Sequence, residues 1–404
     1  MHLAPKHLIN NLLRICHVNL KTFLAFGEKS FVTMKLPVLT FASFFSGLEI
    51  PGFSFLDACK DLGVEGQISA CVEVGDKQRK ILRHMHPDAE LHGDLRDLMI
   101  DALIPDPSGF APTASLAAIS KSKVLWVSSP CEHFSTEGTH GGGDVGSGRL
   151  LLTSAKLIVN LKEGPEMLFY EQVSNILSKM HIDFWLKLVG ILKSKYKYVD
   201  WRVMAACDHG CPQRWRKRVF LVATNKDGWT WPEESPWTCN LKDLLDPAEP
   251  GDDFNKLPEK TKDNRSRKLV KQALKSTMTM AEKKSKQGQD SKKTKKLYLK
   301  NVKNLVVDTG CSERYGRSTL GYFPTLTRTR CQAFQYWICA KGKPISLGEI
   351  FRAFAVPDEL AALYKEAAST TKVTDGQLAG MLGNSVAYSV AKKLLKRGLE
   401  LIKS

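Results

Sequence analysis

The chain has 404 residues, of which 43% are hydrophobic and 25% are charged, and its formal net charge is +17. This length is enough for two domains with a sizeable core. No apolar run approaches the roughly 18 residues that a membrane-spanning helix needs, so a membrane-spanning protein is excluded.

Apolar, β-prone runs alternate along the first half of the chain with segments of helical spacing. The predicted strands are Val38–Phe45, Gln67–Val74, Val124–Ser128, Met167–Tyr170 and Val219–Ala223. The predicted helices between them are Phe53–Leu62, Lys77–Met85, Leu150–Leu161 and Phe184–Leu192. This alternation predicts an α/β fold: a doubly wound, mostly parallel, Rossmann-like sheet with helices on both faces and ligand sites at the strands' carboxyl ends.

The alternation stops after Asn225, where Trp229, Trp231 and Trp237 mark a smaller, irregular region. Weak strands are predicted around Leu305 and Tyr322, and helices at 347–354 and 385–401. Residues 255–304 contain 17 Lys or Arg and 4 acidic residues, which is +13 of the total charge. We interpret this Lys-rich stretch as a solvated, mobile insert that contributes no core.

The positive charge favours a polyanionic partner, nucleic acid before a membrane surface, because neutralised phosphates release their counterions. Solubility alone is the alternative explanation. The ten cysteines follow no disulfide framework and indicate reduced thiols in an intracellular protein. Cys207, His209 and Cys211 lie close together, but no second closely spaced pair accompanies them, so we predict no metal site.

Three small or acidic residues stand where the first strands end. Gly47 would let the backbone approach a cofactor closely. Glu73 ends the second strand, where a carboxylate can accept hydrogen bonds from ribose hydroxyls. Asp94 follows Gly93 at a third such edge. Each is equally consistent with an ordinary strand end when it is considered alone.

A second group of polar residues follows the later strands. Cys131 stands at a strand end before a glycine-rich run, where a thiol of lowered pKa would be a nucleophile, although a lone cysteine is more often a buried apolar residue. Glu171 ends another strand and would point into the same crevice. Arg216 and Arg218 precede the strand at Val219, which would place their charge at the crevice as well.

In this order the motifs resemble those of the cytosine-C5 DNA methyltransferases, from about Val38 to the C-terminus. FFSGLE is similar to the family's cofactor loop, VEVGDKQRKIL and HGDLRDL to its ribose and adenine sites, and SSPCEHFS to its Pro-Cys nucleophile motif. GRLLLTSAKLIV, YEQVSN, GCPQRWRKRVF, FPTLTRT with SLGEIFRAFAVPDEL, and MLGNSVAYSVAKKL resemble the later motifs. Each match is weak alone, but their collinear order is specific.

Four positions depart from the family's pattern. Glu49 stands where the second loop glycine often is. Glu132 replaces the usual glutamine after the cysteine, and Gln172 replaces the asparagine of Glu-Asn-Val. The arginine motif has one residue too many around Trp215, and we align its two arginines with Arg216 and Arg218. Because no reacting group is lost, reduced activity and full activity both remain open.

The resemblance implies S-adenosylmethionine as cofactor and carbon 5 of a cytosine, flipped out of duplex DNA, as substrate. Cys131 would be the nucleophile, Glu171 would act on N3, and Arg216 and Arg218 would support them. The implied cofactor contacts are Phe45, Ser46, Gly47, Glu73, Asp94, Pro130, Asn384 and Ser385. The glycine-rich loop from Gly138 to Gly148 would close over the site.

The resemblance also implies an order of domains. Residues 1–35 would be an N-terminal extension, 36–224 a catalytic domain, 225–373 a target-recognition domain with the Lys-rich insert, and 374–404 a helix that returns to the catalytic domain. The first 27 residues contain no acid, which would suit an organelle presequence, while nuclear location is the expectation for a eukaryotic member. A tRNA cytosine methyltransferase and an inactive DNA-binding homologue are the alternative functions.

Overall fold

The computed structural model describes residues 38–98, 114–135, 146–254, 256–260, 264–285 and 291–403. The predicted N-terminal extension therefore lies outside the described residues, as does the loop segment 136–145. In the part that is described, no helix is long and apolar enough to cross a membrane.

A seven-stranded sheet in the order β3-β2-β1-β4-β5-β7-β6 forms the centre of the fold. Its strands are β1 (Leu39–Phe44), β2 (Gly66–Val72), β3 (Glu90–His92), β4 (Val124–Val127), β5 (Met167–Val173), β6 (Tyr198–Ala205) and β7 (Lys217–Thr224). Neighbouring strands from β3 to β5 are parallel, whereas β7 runs antiparallel to both β5 and β6. The predicted mostly parallel, doubly wound sheet is confirmed.

Twelve helices were identified in the described residues. They are α1 (Ile50–Asp61), α2 (Asp76–Met85), α3 (Ala114–Ser120), α4 (Leu150–Asn160), α5 (Ile182–Lys193), α6 (Arg265–Lys284), α7 (Ser291–Val302), α8 (Arg328–Gln332), α9 (Leu347–Ala353), α10 (Asp358–Thr370), α11 (Asp375–Gly383) and α12 (Tyr388–Lys403).

The two faces of the large sheet are buried against different sets of helices. Two residues of β1 on opposite faces show this. Phe41 belongs to the cluster that contains α1 and α9 to α12, whereas Phe44 belongs to the cluster that contains α4 and α5. Side chains of a strand point to opposite faces in turn, so a strand covered on both faces must be apolar throughout. The sequence of β4, VLWV, meets that requirement and is entirely buried.

A second, smaller sheet follows the large one. Its strands are β8 (Leu305–Asp308), β9 (Arg317–Leu320), β10 (Tyr336–Ile338) and β11 (Lys343–Pro344), arranged antiparallel in the order β11-β10-β8-β9. The predicted smaller region therefore exists, and its centre is a regular sheet. The boundaries predicted at residues 225 and 373 stay predictions.

The Lys-rich stretch is more ordered than its composition suggests. The helices α6 and α7 lie within it and bury Leu269, Val270 and Val302 against Leu305 and Val307 of β8. The expectation that this stretch contributes no core was therefore wrong for its described residues. The apolar residues of α6 and α7 are separated by so many lysines that the sequence shows no clear helical spacing.

Candidate active site

A cavity of about 560 Å³ opens at the carboxyl ends of β1, β2, β4 and β5. Ten of the twelve predicted site residues line it: Phe45, Ser46, Gly47, Glu73, Pro130, Cys131, Glu171, Arg218, Asn384 and Ser385. Asp94 and Arg216 are not in its lining. Parallel strands present their carboxyl ends at one edge of a sheet, which is why residues so distant in sequence meet here.

The turn between β1 and α1 has an unusual backbone. Phe45, Gly47 and Glu49 have φ angles of 59°, 56° and 58°, in the left-handed region that side-chain-bearing residues rarely adopt. Two of these three residues carry side chains, so the surrounding contacts must hold the turn in place. Ser46 contributes one such contact, since its backbone N–H donates to the Val72 carbonyl at 3.1 Å.

Glu49 is fully buried beneath this turn, a feature that the sequence did not reveal. Its carboxylate accepts from the Gly52 N–H at 3.2 Å and from the Cys71 thiol at 3.1 Å, and the Ser43 hydroxyl donates to it as well. Burial raises the pKa of Glu49 to about 7, although these hydrogen bonds oppose the shift. Glu49 thus supports the turn between β1 and α1 from the buried side.

Glu73 directly follows β2 and contacts this turn through a hydrogen bond. Its two carboxylate oxygens accept from the Gly47 N–H at 2.8 Å and from the Gly75 N–H at 2.7 Å. Each oxygen has a further lone pair, so the carboxylate can still accept two hydroxyl groups of a ligand. Glu73 therefore lines the cavity as an acceptor, and its predicted contact with a ribose stays a prediction.

Asp94 does not line the cavity, and its carboxylate is hydrogen-bonded to Arg96. Its carboxylate accepts from the Nε of Arg96 at 3.0 Å and from the backbone N–H of Arg96 at 2.9 Å. These hydrogen bonds lower the pKa of Asp94. The predicted cofactor contact of Asp94 is therefore not supported by this arrangement, in which the side chain turns back onto its own loop.

Cys131 follows β4 and is partly exposed to the cavity. Its carbonyl accepts from the backbone N–H groups of Phe134 and Ser135, which form a tight turn after the nucleophile motif. Burial raises the pKa of the Cys131 thiol, and the charges of Glu171 and Glu132 act in the same direction, while Arg218 and Arg216 lower it. The lowered pKa that would favour a nucleophile is therefore not found, because burial outweighs the two arginines.

Gln172 connects β5 to the segment that carries the cysteine. Its buried amide Nε2 donates to the carbonyl and to the hydroxyl of Ser129, both at 3.1 Å, and its Oε1 accepts from the Val173 N–H at 2.8 Å. The residue that departs from the family's asparagine is therefore fully hydrogen-bonded. It fixes the backbone two residues before Cys131.

Glu171 and Arg218 form an ion pair inside the cavity, with Arg218 Nε 3.1 Å from Glu171 Oε1. They come together because Glu171 pairs with Phe220, and Val173 with Arg218, in the antiparallel ladder of β5 and β7. Residues two apart on one strand share a face, so both side chains reach the same side of the sheet. The predicted proximity of Glu171 and Arg218 is observed.

Arg216 is buried, and its guanidinium binds backbone carbonyls. Its Nη1 donates to the Leu326 carbonyl at 2.8 Å, and its Nη2 donates to the carbonyls of Gly383 and Ser385. The guanidinium also lies over the ring of Phe354. Arg216 does not line the cavity, and it influences the cavity by fixing the backbone around Ser385 and by its charge.

The far wall of the cavity comes from α11 and the turn before α12, which carries Asn384 and Ser385. Gly383 lets this wall approach α8, because a Cβ there would lie 2.6 Å from backbone atoms of Arg328. Arg328 itself lines the cavity and lies 3.8 Å from the exposed carboxylate of Glu132. The sequence contained Arg328 in the FPTLTRT motif, but its place at the cavity was not predicted.

Only the end of the predicted closing loop is described, as a short 3₁₀ turn at Gly146–Arg149. Its closure over the cavity stays a prediction. Among the described residues no group of three His, Cys, Asp or Glu side chains is arranged to hold a metal ion. Cys207, from the CDHGC run, has its thiol within hydrogen-bonding distance of Asp208 and of the Arg214 carbonyl.

A cavity that holds a thiol, a carboxylate and an arginine at the switch point of an α/β sheet is typical of group-transfer enzymes. Comparison with known proteins gives the same class. The model of the C-5 cytosine-specific DNA methylases matches residues 39–400. The chain belongs to this family.

Individual relatives are distant. The chain is 25% identical over 219 residues to the type II methyltransferase M.NlaIV of Neisseria lactamica, covering 52% of this chain and 47% of that protein. It is 27% identical over 135 residues to M.Bsp6I of a Bacillus species, covering 32% of this chain and 42% of that one. The chain thus spans about half the length of the curated relatives it matches.

Solved structures support the fold. The Entamoeba histolytica methyltransferase EhMeth aligns with a TM-score of 0.55 at 14% identity, covering 91% of this chain and 100% of that one. A prophage-encoded DNA modification methyltransferase described as putative, from E. coli, gives 0.55 at 17% identity with the same coverage. Dnmt2 of Schizosaccharomyces pombe gives 0.52 at 14%, again with the same coverage.

Proposed function

We propose that this protein transfers a methyl group from S-adenosylmethionine to carbon 5 of cytosine in DNA, through a covalent bond between Cys131 and the base. The observation that carries the proposal is the shared cavity of Cys131, Glu171 and Arg218 with the turn at Gly47. A nucleophile, a proton donor and a nucleoside-binding loop at one opening are the groups that this reaction requires.

The residues of the turn fit the proposed cofactor. Phe45, Ile50 and Val74 give part of the cavity an apolar lining, while Glu73 supplies a carboxylate whose orientation is fixed by two backbone N–H groups. An adenosine group combines an apolar ring with a diol, and this pairing suits it. Asn384 and Ser385 on the opposite wall would hold the amino-acid end. When bound, S-adenosylmethionine supplies an electrophilic methyl group.

The chain's own residues act on the base. The Cys131 thiol loses its proton to solvent and adds as thiolate to carbon 6, while Glu171, after taking a proton from solvent, gives it to N3, which makes carbon 5 electron-rich. After carbon 5 has been methylated, a base or water removes the proton at carbon 5. The electron pair of that C–H bond re-forms the ring double bond, Cys131 leaves as thiolate, and the Glu171 carboxylate takes the proton back from N3. Because carbon 6 is inaccessible in a duplex, the nucleotide must first be flipped out.

Arg218 has two parts in this scheme. Its ion pair orients the Glu171 carboxylate at 3.1 Å, and its charge lowers the pKa of Cys131. The raised pKa of the thiol means that most of it is protonated before the base binds. The rate of adduct formation is therefore expected to increase with pH through the neutral range.

DNA is proposed as substrate because the matching family model is described as DNA methylases and the curated relatives are named type II methyltransferases. A tRNA substrate is the alternative, and solved Dnmt2 chains are among the similar folds. The nuclear or organellar location stays a prediction from the sequence.

The test is a duplex that contains 5-fluorocytosine, incubated with S-adenosylmethionine. Fluorine at carbon 5 cannot leave as a proton does, so an active protein remains covalently attached in SDS. We expect an adduct with wild type and none with Cys131→Ser. Duplexes of random sequence cover the unknown target site, and a fluorocytosine-substituted tRNA is tested in parallel. An adduct on tRNA alone would transfer the proposal to the alternative substrate, and binding of duplex without any adduct would refute it.

A further inference from the structure

The helices α6 and α7 form a surface that the proposed chemistry does not use. We call residues 264–285 and 291–303 the basic hairpin. Its two segments contact each other where the hydroxyls of Ser285 and Thr294 lie 2.5 Å apart. The residues between them, 286–290, lie outside the described part of the chain.

The exposed side of the basic hairpin is almost entirely cationic. Its exposed lysines include Lys271, Lys275 and Lys283 on α6 and Lys292, Lys296 and Lys300 on α7. Within the described residues of the hairpin, Glu282 is the one acidic side chain. No carboxylate in the described chain lies within ion-pair distance of Lys271, Lys275, Lys292 or Lys296, whereas Lys268 pairs with Glu313 at 3.1 Å.

This arrangement is unfavourable for isolated helices. Lys271 and Lys275, and likewise Lys292 and Lys296, are like charges four residues apart, which destabilises a helix by roughly 0.2–0.5 kcal/mol per pair. The first turns of both helices carry basic residues and no acid, and the Asn264 side chain does not cap α6. Positive charge at a helix N-terminus opposes the helix dipole. A polyanion on this surface would offset both effects.

The apolar side of the hairpin is already used. Leu269, Val270 and Val302 are buried against β8, and Met280 is the only large hydrophobic side chain exposed on the described part of the hairpin. A helix that inserts into a membrane surface needs a free apolar face. The hairpin lacks one, which favours a polyanion bound through charge alone.

The hairpin is connected to the cavity through a short series of contacts. β8, which packs on α6, ends at Asp308, and Asp308 forms a buried ion pair with Arg330 at 3.2 Å. Arg330 belongs to α8, the helix whose first residue, Arg328, lines the cavity. The small sheet thus connects the hairpin, through packed and ion-paired residues, to the cavity where the base would enter.

We infer that the basic hairpin binds the phosphate backbone of the nucleic acid outside the nucleotide that enters the cavity. This inference rests on the proposed function and extends it with a second, sequence-independent contact. Phosphate contacts of this kind set affinity and orientation and do not read bases. They also make affinity strongly dependent on salt, with a slope of about −0.9 in log K against log salt for each phosphate.

The test compares two quadruple variants of the full chain. The hairpin variant is Lys271→Gln, Lys275→Gln, Lys292→Gln and Lys296→Gln. The control is Lys60→Gln, Lys121→Gln, Lys162→Gln and Lys193→Gln, which removes the same charge from exposed lysines near the amino ends of the large sheet's strands, opposite the cavity. Circular dichroism verifies that both variants keep their helices.

Fluorescence anisotropy with a labelled 30-base-pair duplex, from 50 to 200 mM salt, measures affinity and its salt slope. We expect the hairpin variant to bind at least about tenfold more weakly at the lowest salt and its slope to become shallower by about 2 to 4, since up to four phosphate contacts are lost. The control should retain the wild-type slope to within about 1. Equal affinity and slope in the two variants would overturn the inference.

Two additional measurements identify other outcomes. If vesicles of anionic lipid bind wild type more tightly than the duplex does, and the hairpin variant loses that binding, the partner is a membrane and the inference is wrong. The fluorocytosine adduct separates this inference from the chemistry. If duplex affinity depends on the hairpin lysines but no adduct forms, the hairpin inference is supported and the proposed methyl transfer is refuted. If both variants form the adduct equally at all protein concentrations, methyl transfer is supported and the hairpin inference is refuted.

Discussion

Arg218 Nε lies 3.1 Å from Glu171 Oε1, and the same arginine is the strongest charge that lowers the pKa of Cys131. One side chain thus acts on both groups that the proposed reaction uses. The pair is largely buried, so its interaction is screened less by solvent than that of a surface pair. The neighbouring Arg216 has no such contact with Glu171.

Replacing Arg218 should therefore impair the chemistry. We expect Arg218→Ala to slow adduct formation on fluorocytosine duplex by about 100-fold or more, as removal of a preorganised charge at a reacting centre does. Arg214→Ala, which removes an exposed arginine four residues earlier, is the matched control and should have an effect of less than about threefold. Similar rates for the two variants would show that Arg218 has no part in the reaction.

Replacing Arg216 should instead impair folding. Arg216→Ala leaves the carbonyls of Leu326, Gly383 and Ser385 without their donor, and we expect a loss of about 3 kcal/mol in the free energy of unfolding. Urea denaturation followed by circular dichroism measures it. Arg218→Ala serves as comparison and should lose less than half as much. A fully stable Arg216→Ala protein would contradict the structural role assigned here.

Gln172 provides a test of the support beneath Cys131. Gln172→Asn restores the family's usual residue but is one methylene shorter, so it should lose the contacts with Ser129 at 3.1 Å. We expect a loss of about 1 kcal/mol in stability and a roughly tenfold slower adduct. Gln67→Asn, at an exposed position near the start of β2, is the control. An adduct rate in Gln172→Asn above that of wild type would mean that the asparagine is the better support.

The exposed carboxylate of Glu132 allows a test of the thiol's electrostatics. Its charge raises the pKa of Cys131, so Glu132→Gln should lower that pKa and increase the thiolate fraction at neutral pH. Because Glu132 is exposed and partly paired with Arg328, we expect only a two- to threefold faster alkylation of Cys131 by iodoacetamide. Mass spectrometry resolves Cys131, with exposed Cys239 as internal reference and Glu163→Gln as the control variant. A slower reaction in Glu132→Gln would contradict the assignment.

Glu49 predicts a dependence of stability on pH. Its pKa is raised from an ordinary 4.5 to about 7 in the folded protein, so the folded state binds more protons than the unfolded state between these values. The stabilisation is complete below pH 4.5 and is lost as the pH rises through about 7. Relative to Glu49→Gln, wild type should lose up to about 3 kcal/mol over that interval.

The measurement for Glu49 is the thermal midpoint of both proteins at pH 5 to 8, compared with Glu366→Gln, an exposed carboxylate on α10. The difference between wild type and Glu49→Gln should shift in favour of the variant as the pH increases, and the difference for Glu366→Gln should stay constant. A constant difference for Glu49→Gln would show that its carboxylate is ionised throughout. The same variants, titrated with S-adenosylhomocysteine, show whether the turn at Gly47 retains its affinity for the ligand.

The sequence determined the large sheet and most of the candidate site, for a local reason. Buried parallel strands must be apolar on both faces, so runs such as Val124–Val127 stand out, and residues just after them, such as Cys131, necessarily reach the carboxyl edge. A strand with polar positions is not predicted in this way. β6, at the edge of the sheet, reads YVDWRVMA, with five residues half-buried and two exposed, so it lacks the continuous apolar run of a buried strand.

Only the tertiary structure decided which charged residues meet. Arg216 and Arg218 are equivalent in the sequence, but Arg216 lies just before β7 and is a buried donor to backbone carbonyls, whereas Arg218 lies within β7, beside β5, and is the partner of Glu171. Asp94 turned to its neighbour Arg96, and Glu49 became a buried support of the loop. The carbonyls that Arg216 binds lie 110 to 169 residues away in the sequence, so no local pattern encodes its burial.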